Sequence, residues 1–207
     1  MTDGFPSSAR VVIVGGGVAG CSVAYHLAKL GWTDIVLLER GTLTCGTSWH
    51  AAGLVMQLRT THTMTEICRY GAQLYSKLEA ETGQATGFKQ VGSIPVARTP
   101  ARFIELKRLA SLGRYFGIEA AILSPNEVPK YHPLIDTAKL AGALFIPGDG
   151  QTDPVGTTMA LAKGARSAGI KPIERTTVSA IETKDGAVSA VVTEKGRITC
   201  ESVVLCG

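Results

Sequence analysis

Arg10-Val-Val-Ile-Val-Gly-Gly-Gly-Val-Ala-Gly20, continued by Cys21-Ser-Val-Ala-Tyr-His-Leu-Ala-Lys-Leu30 and, past Gly31, by Ile35-Val-Leu-Leu-Glu-Arg40, is the stretch that decides the fold. Residues 10–14 form a short, β-branched apolar run, which predicts a strand buried on both faces. Gly15-x-Gly17-x-x-Gly20 breaks that run. Residues 21–30 then place Val23, Ala24, Leu27 and Leu30 on one helical face until Gly31 stops the helix. Residues 35–38 are a second buried strand, ending at Glu39 and Arg40. Strand, glycine turn, helix and strand in about thirty residues make a βαβ unit whose strands run parallel.

Each glycine of the turn has its own physical reason. The first permits a tight turn, the second lets a pyrophosphate approach the backbone, and the third lets the helix lie against the strand. The helix head offers free N–H groups and the positive end of its dipole, so a diphosphate is stabilised there without a lysine. Glu39 lies about 20 residues beyond the turn, at the end of the second strand. Its carboxylate can accept both hydroxyls of an adenosine ribose and would repel a 2′-phosphate, which argues against NADP. The pattern predicts dinucleotide binding through Gly15, Gly17, Gly20 and Glu39. It does not separate FAD from NAD, and the same glycines could simply pack a helix on a sheet.

The 207 residues are 45% hydrophobic and 18% charged, enough to bury a core and too apolar for a disordered chain. Lys and Arg total 21 against 17 acids, a net +4 with no basic block, which excludes an extended nucleic-acid surface. The five cysteines include no CxxC pair, arguing against a disulfide framework or a zinc site and for the reduced thiols of a cytoplasm or mitochondrial matrix. Residues 1–10 lack the apolar stretch of a signal peptide. Residues 11–28 carry no charge, but Gly15, Gly16, Gly17 and Gly20 interrupt them, so they read as strand and helix and not as a membrane span.

Further along, residues 64–82 read as a helix facing inward through Ile67, Tyr70, Leu74 and Leu78, residues 88–97 as extended, and residues 100–115 as a second amphipathic helix. The cations of that second helix (Arg102, Lys107, Arg108 and Arg114) read as a solvated face. A short helical turn is expected at 124–131 and a strand at 140–146. Asp153 caps a helix with Pro154 at its first position, running to about residue 168. Three β-rich runs near 172–182, 187–193 and 197–205, joined at Lys184-Asp-Gly186 and Glu194-Lys-Gly196, predict a small antiparallel meander.

Residues 46–53, Gly-Thr-Ser-Trp-His-Ala-Ala-Gly, combine small residues and hydroxyls with a Trp-His pair. They would let a flat ring approach the backbone, with Thr47 and Ser48 donating to phosphate or ribitol oxygens. An ordinary loop with Trp49 and His50 at its rim fits the same residues. Five pieces then carry a resemblance: VVIVGGGVAGCSVAYHLAKLG (11–31), VLLER (36–40), GTSWHAAGL (46–54), LEAETGQATGFKQVGSI (78–94) and GALFIPGDGQTDP (142–154). Over residues 10–207 the chain resembles the N-terminal part of the dimethylglycine dehydrogenase and sarcosine dehydrogenase family, flavoproteins related to D-amino-acid oxidase.

That resemblance implies FAD contacts at Val18, Ala19, Glu39, Arg40, Gly46, Thr47, Ser48, Trp49, His50, Ala51, Ala52, Gly53 and Leu54, at Gly207, and by the backbone of Val178 to the adenine. It also implies a covalent bond from His50 to the flavin 8α-methyl carbon. A histidine with a reference pKa of about 6.5 is mostly neutral at cytoplasmic pH and is a competent nucleophile there. His26 reads as helix packing, His62 and His132 as isolated, and Cys45 as a poorer match for the flavin link than His50.

The expected architecture is α/β: a Rossmann-like FAD-binding domain with a βαβ start and a three-stranded antiparallel meander, plus part of an interleaved substrate domain. Residues 1–85 and 148–207 are expected in the FAD-binding domain and residues 86–147 in the substrate domain. The resemblance implies an FAD-dependent oxidoreductase that demethylates an N-methyl amine such as dimethylglycine or sarcosine, with oxygen or an electron-transfer protein as acceptor. Tetrahydrofolate binding would lie further along. The rivals are an oxidase of another amine or amino acid and a non-catalytic dinucleotide-binding module. In the family the strand at 201–205 returns to the sheet and the chain continues, so the sequence is expected to be a fragment without its catalytic base, inactive alone.

Overall fold

A computed structural model describes residues 4–207. Along the chain run β1 (Ser8–Val14), α1 (Val18–Lys29), β2 (Ile35–Leu38), a 3₁₀ turn at Ser48–His50, β3 (Leu54–Val55) and α2 (His62–Thr82). Then come β4 (Val96–Ala97), α3 (Pro100–Tyr115), β5 (Ala121–Leu123), a 3₁₀ turn at Val128–Lys130, β6 (Gly142–Phe145) and β7 (Gly150–Gln151). The last part holds α4 (Pro154–Ser167), β8 (Pro172–Ile173), β9 (Val178–Lys184), β10 (Ala187–Thr193) and β11 (Gly196–Leu205).

These elements form two compact units. The first takes the chain up to Ala52, then Lys77–Gly87 and Asp153–Gly207; the second takes Gly53–Ser76 and Phe88–Thr152. Residues 53–76, expected from sequence with the first unit, group with the second because Leu58 enters a core with Leu106, Ala110, Phe116 and Leu144.

The first unit is the expected α/β fold. Its sheet runs β8-β2-β1-β11-β10-β9, with β8, β2, β1 and β11 mutually parallel and β11, β10 and β9 an antiparallel meander. The sheet buries Val12, Val36, Leu38, Val191 and Ile198 in one cluster. β11 lies parallel beside β1, with Val12 opposite Val203 and Val14 opposite Leu205, which carries the chain end to the glycine turn. The β9–β10 hairpin turns at Asp185 and Gly186, both with positive φ (53° and 79°), as an Asp-Gly two-residue loop requires. One expected strand is divided. The run 172–182 breaks at Arg175, whose φ is +51°, so Pro172–Ile173 joins the parallel edge beside β2 and Val178 starts the meander.

In the second unit β4, β6 and β5 make an antiparallel sheet, with α3 packed on it through Leu106 and Ala110. Thr99 caps α3 by accepting the Arg102 N–H. The expected inner face of α2 is corrected in part: Leu78 is buried as expected, but Ile67 and Tyr70 are 58% and 51% exposed, and Thr65 and Ala72 are buried in their place. Both faces of this helix repeat at helical spacing, and the inner one uses smaller, more polar residues. Among the described residues no helix is long and apolar enough to cross a membrane, and no group of three or more metal-ligating side chains is found.

Candidate cofactor site

The site is built where β1 ends. The chain turns at Gly15 with φ +114°, and a Cβ there would lie 2.6 Å from the Cys206 carbonyl oxygen. The Gly15 N–H donates to the Leu38 carbonyl and the Cys206 N–H to that of Val14, so the turn is clamped from both neighbouring strands. A Cβ on Gly20 would sit 1.9 Å from the Gly15 carbonyl oxygen, which is why helix and strand can cross this closely only with glycine there. Gly17 is the N-cap of α1 and provides no side chain to it. Ser48 does so from a distant point in sequence: its Oγ accepts the Val18 N–H at 2.9 Å, and a Cβ on Gly17 would stand 3.0 Å from that oxygen.

Glu39 is 8% exposed, and both of its oxygens are engaged. Oε2 accepts the Gly16 N–H at 2.7 Å; Oε1 accepts the Gly41 N–H at 2.8 Å and faces the Cys45 thiol at 3.5 Å. The acid at the end of β2 therefore holds the glycine turn to the start of the following loop. Its two oxygens keep lone pairs beyond these bonds, so ribose hydroxyls can still be accepted.

A cavity of about 390 Å³ opens here. Of the residues expected from sequence, Gly15, Gly17, Glu39, Arg40, Gly46, Thr47, Ser48, Val178 and Gly207 line it. Val18, Ala19 and Gly20 form the first turn of α1 behind Gly17. Trp49 and His50 are exposed, with rings stacked at 3.8 Å between centroids and tilted 36°. Ala51 continues as extended chain, Ala52 ends this stretch of the first unit, and Gly53 and Leu54 belong to the second unit.

Sequence reasoning missed Thr176 and Thr177, which also line the cavity, and weighed Cys45, a further lining residue, only as a candidate flavin link. The threonines arrive through the backbone reversal at Arg175: the Arg175 N–H donates to the Gly41 carbonyl and the Thr176 N–H to that of Glu39. No motif marks that contact. Cys21 lies under the turn, donating to the Gly16 carbonyl, and burial pushes its thiol up to about 12, so it is a packing group and not a nucleophile.

In the second unit, Asp149 of the Gly-Asp-Gly segment is fully buried. It accepts the Gln57 N–H at 2.8 Å and the Ser93 hydroxyl at 2.6 Å, and burial raises its carboxyl above the usual range. Through these bonds it fixes the short β3–β7 ladder, in which Val55 pairs with Gly150.

Residues 10–207 match the family model described as DAO, FAD dependent oxidoreductase. The chain belongs to the DAO family. This DAO chain is 42% identical over 201 residues to the mouse pyruvate dehydrogenase phosphatase regulatory subunit, covering 97% of itself and 23% of that protein. It is 44% identical over 207 residues to mouse sarcosine dehydrogenase (97% and 22%). It is 40% identical over 206 residues to the formaldehyde-forming 4-methylaminobutanoate oxidase of Paenarthrobacter nicotinovorans (99% and 25%). The DAO chain thus spans about a quarter of the length of these curated relatives. Among solved structures, L-proline dehydrogenase from P. horikoshii superposes with a TM-score of 0.92 at 26% identity, covering 98% of this chain and 53% of that one. The local geometry suits FAD: backbone N–H groups head α1 where glycine keeps the approach open, and a buried acid stands beside the cavity.

Proposed function

We propose that this DAO chain is the FAD-binding part of an oxidoreductase that demethylates a small secondary or tertiary N-methyl amine of the sarcosine or dimethylglycine kind, with the flavin held covalently by His50. The observation that carries the reading is the Ser48–His50 turn, fixed to the head of α1 by the Val18 N–H···Ser48 Oγ bond. The turn that bears the imidazole is thereby tied to the helix end that receives a diphosphate. Two of the relatives' names, sarcosine dehydrogenase and formaldehyde-forming 4-methylaminobutanoate oxidase, support the N-methyl class.

In this reading the N–H groups heading α1 bind the diphosphate, Glu39 accepts the ribose hydroxyls and the Val178 backbone meets the adenine. Bound FAD would supply two-electron oxidation of the amine carbon. Oxygen or an electron-transfer protein would accept the electrons, and tetrahydrofolate bound further along would capture the one-carbon unit. The relatives named as mitochondrial support a matrix setting in a eukaryotic cell.

A second reading, a nucleotide-binding module with a regulatory role, is favoured by the regulatory subunit's 42% identity. Two measurements on the full-length protein separate the cases. Acid precipitation should leave yellow flavin in the pellet, and His50→Ala should move it to the supernatant. Anaerobic mixing with sarcosine and dimethylglycine should bleach the flavin band. A flavin that no N-methyl amine bleaches would count against the oxidoreductase and for the regulatory module.

A further inference from the structure

We infer that Ser48 is the positioning residue that sets His50 for bonding to the flavin; this rests on the covalent-histidine reading above. Ser48 is buried while its neighbours Trp49 and His50 are exposed. Its side chain is committed to α1, where Oγ accepts the Val18 N–H at 2.9 Å. Its main chain belongs to the turn: the Ser48 carbonyl accepts the Ala51 N–H at 3.3 Å, and the His50 N–H donates to the Thr47 carbonyl at 3.2 Å. A three-residue 3₁₀ turn has long, poorly aligned bonds and little persistence of its own. Its hold on the helix head is therefore what fixes where the His50 ring stands, and the stacked Trp49 ring limits how that ring turns.

The attachment step is demanding in geometry. A nitrogen–carbon bond forms between the imidazole and the 8α carbon, while a C–H bond of that methyl group and the imidazole N–H each release a proton. The two electrons of the broken C–H bond and two protons pass to the flavin ring. Dioxygen then takes them as hydrogen peroxide and restores the oxidised cofactor. Bond formation of this kind requires the reacting atoms to be held in near-attack geometry, and small displacements cost large factors in rate.

The test uses full-length apoprotein from riboflavin-limited cells, mixed aerobically with increasing FAD, timing the appearance of acid-stable flavin in the precipitated protein. Ser48→Ala should lower the maximal attachment rate at saturating FAD by about tenfold or more, whereas Ser48→Thr, which keeps the acceptor oxygen, should stay within about threefold of wild type. A residue that only bound the cofactor would instead raise the FAD concentration giving half the maximal rate and leave the maximum unchanged. That outcome overturns the proposal. Should Ser48→Ala not fold, Ser48→Cys keeps the volume with a poor acceptor and should slow attachment at least about threefold; wild-type speed in it overturns the proposal equally. Wild-type protein that never acquires acid-stable flavin would refute the covalent reading itself, and the role of Ser48 with it.

Discussion

Glu39→Gln separates two roles that the sequence merges in one residue. A ribose acceptor matters only when the nucleotide is present, but the Glu39 carboxylate also closes the glycine turn by taking the Gly16 N–H on one oxygen and the Gly41 N–H on the other. Glutamine offers one oxygen and one NH₂, so whichever way the amide is turned, a donor faces a backbone donor. Leaving a buried N–H unsatisfied costs about 1–3 kcal/mol, and exchanging the surviving charge-assisted bond for a neutral one costs about 1 kcal/mol more. The sum, roughly 2–4 kcal/mol, is a large share of the 5–15 kcal/mol typical of a folded domain. With a urea dependence of about 2 kcal/mol per molar, the unfolding midpoint of the apoprotein should fall by about 1–2 M. The assay is urea unfolding of apo wild type and apo Glu39→Gln, followed by Trp fluorescence and by circular dichroism. FAD affinity should also fall, but the decisive comparison is made without cofactor. Equal midpoints in the apoproteins, with only FAD binding impaired, would refute the structural role and leave Glu39 as a ribose ligand alone.

Gly20→Ala puts a methyl group 1.9 Å from a backbone carbonyl that cannot move without breaking the turn, so destabilisation of about 3 kcal/mol or more is expected in thermal unfolding. Cys45 is exposed and lines the cavity, whereas Cys21 is buried with its thiol raised to about 12, so iodoacetamide should label Cys45 first, as read by peptide mass spectrometry. Saturating FAD should slow that labelling at least about tenfold; equal rates with and without FAD would place the cofactor elsewhere. Asp149 holds its proton more tightly in the buried folded site than in the unfolded chain. It therefore costs stability above its raised folded pKa, and that cost fades as the pH falls from there toward the ordinary carboxylate value. Relative to Asp149→Asn, wild type should gain stability as the pH is lowered toward the ordinary carboxylate range in urea titrations; a parallel pH dependence in the two proteins would contradict this.

The parts of the fold that were legible in the sequence are those decided by local chemistry. The strand at 35–38 was read to the residue because four apolar positions are bounded by an acid and a turn. The Asp153 cap was read because a short carboxylate before Pro154 can reach the N–H groups of Val155 and Gly156, and it accepts both, at 3.1 and 3.0 Å. What was not legible depends on partners distant in the chain. Nothing near Pro172 indicates that it pairs beside Leu37, and nothing in α2 says which of two helical stripes meets the core. Local pattern fixes the period of such an element, while burial is fixed by whatever arrives to cover it.

The site divides along the same line. GxGxxG and the acid at the end of β2 were legible because each residue type is forced by one backbone contact: Gly15 by its φ, Gly20 by the Gly15 carbonyl. Thr176 and Thr177 were not, because they come to the cavity through backbone hydrogen bonds to Glu39 and Gly41, which any residue type could make. Ser48 falls between the two. Its hydroxyl was visible as a possible cofactor donor, but its acceptor role toward Val18, 30 residues earlier, requires the fold. The same holds for Glu39, read as a ligand and found also to be a strut. In both cases a polar side chain beside an open cavity must satisfy protein donors when the nucleotide is away, and the side chains that do so keep the turn in shape for its return. Substitutions at Ser48 and Glu39 should therefore alter the apoprotein as well as the loaded one, whereas a substitution at Arg40, exposed at the cavity rim, should be felt only when cofactor is bound.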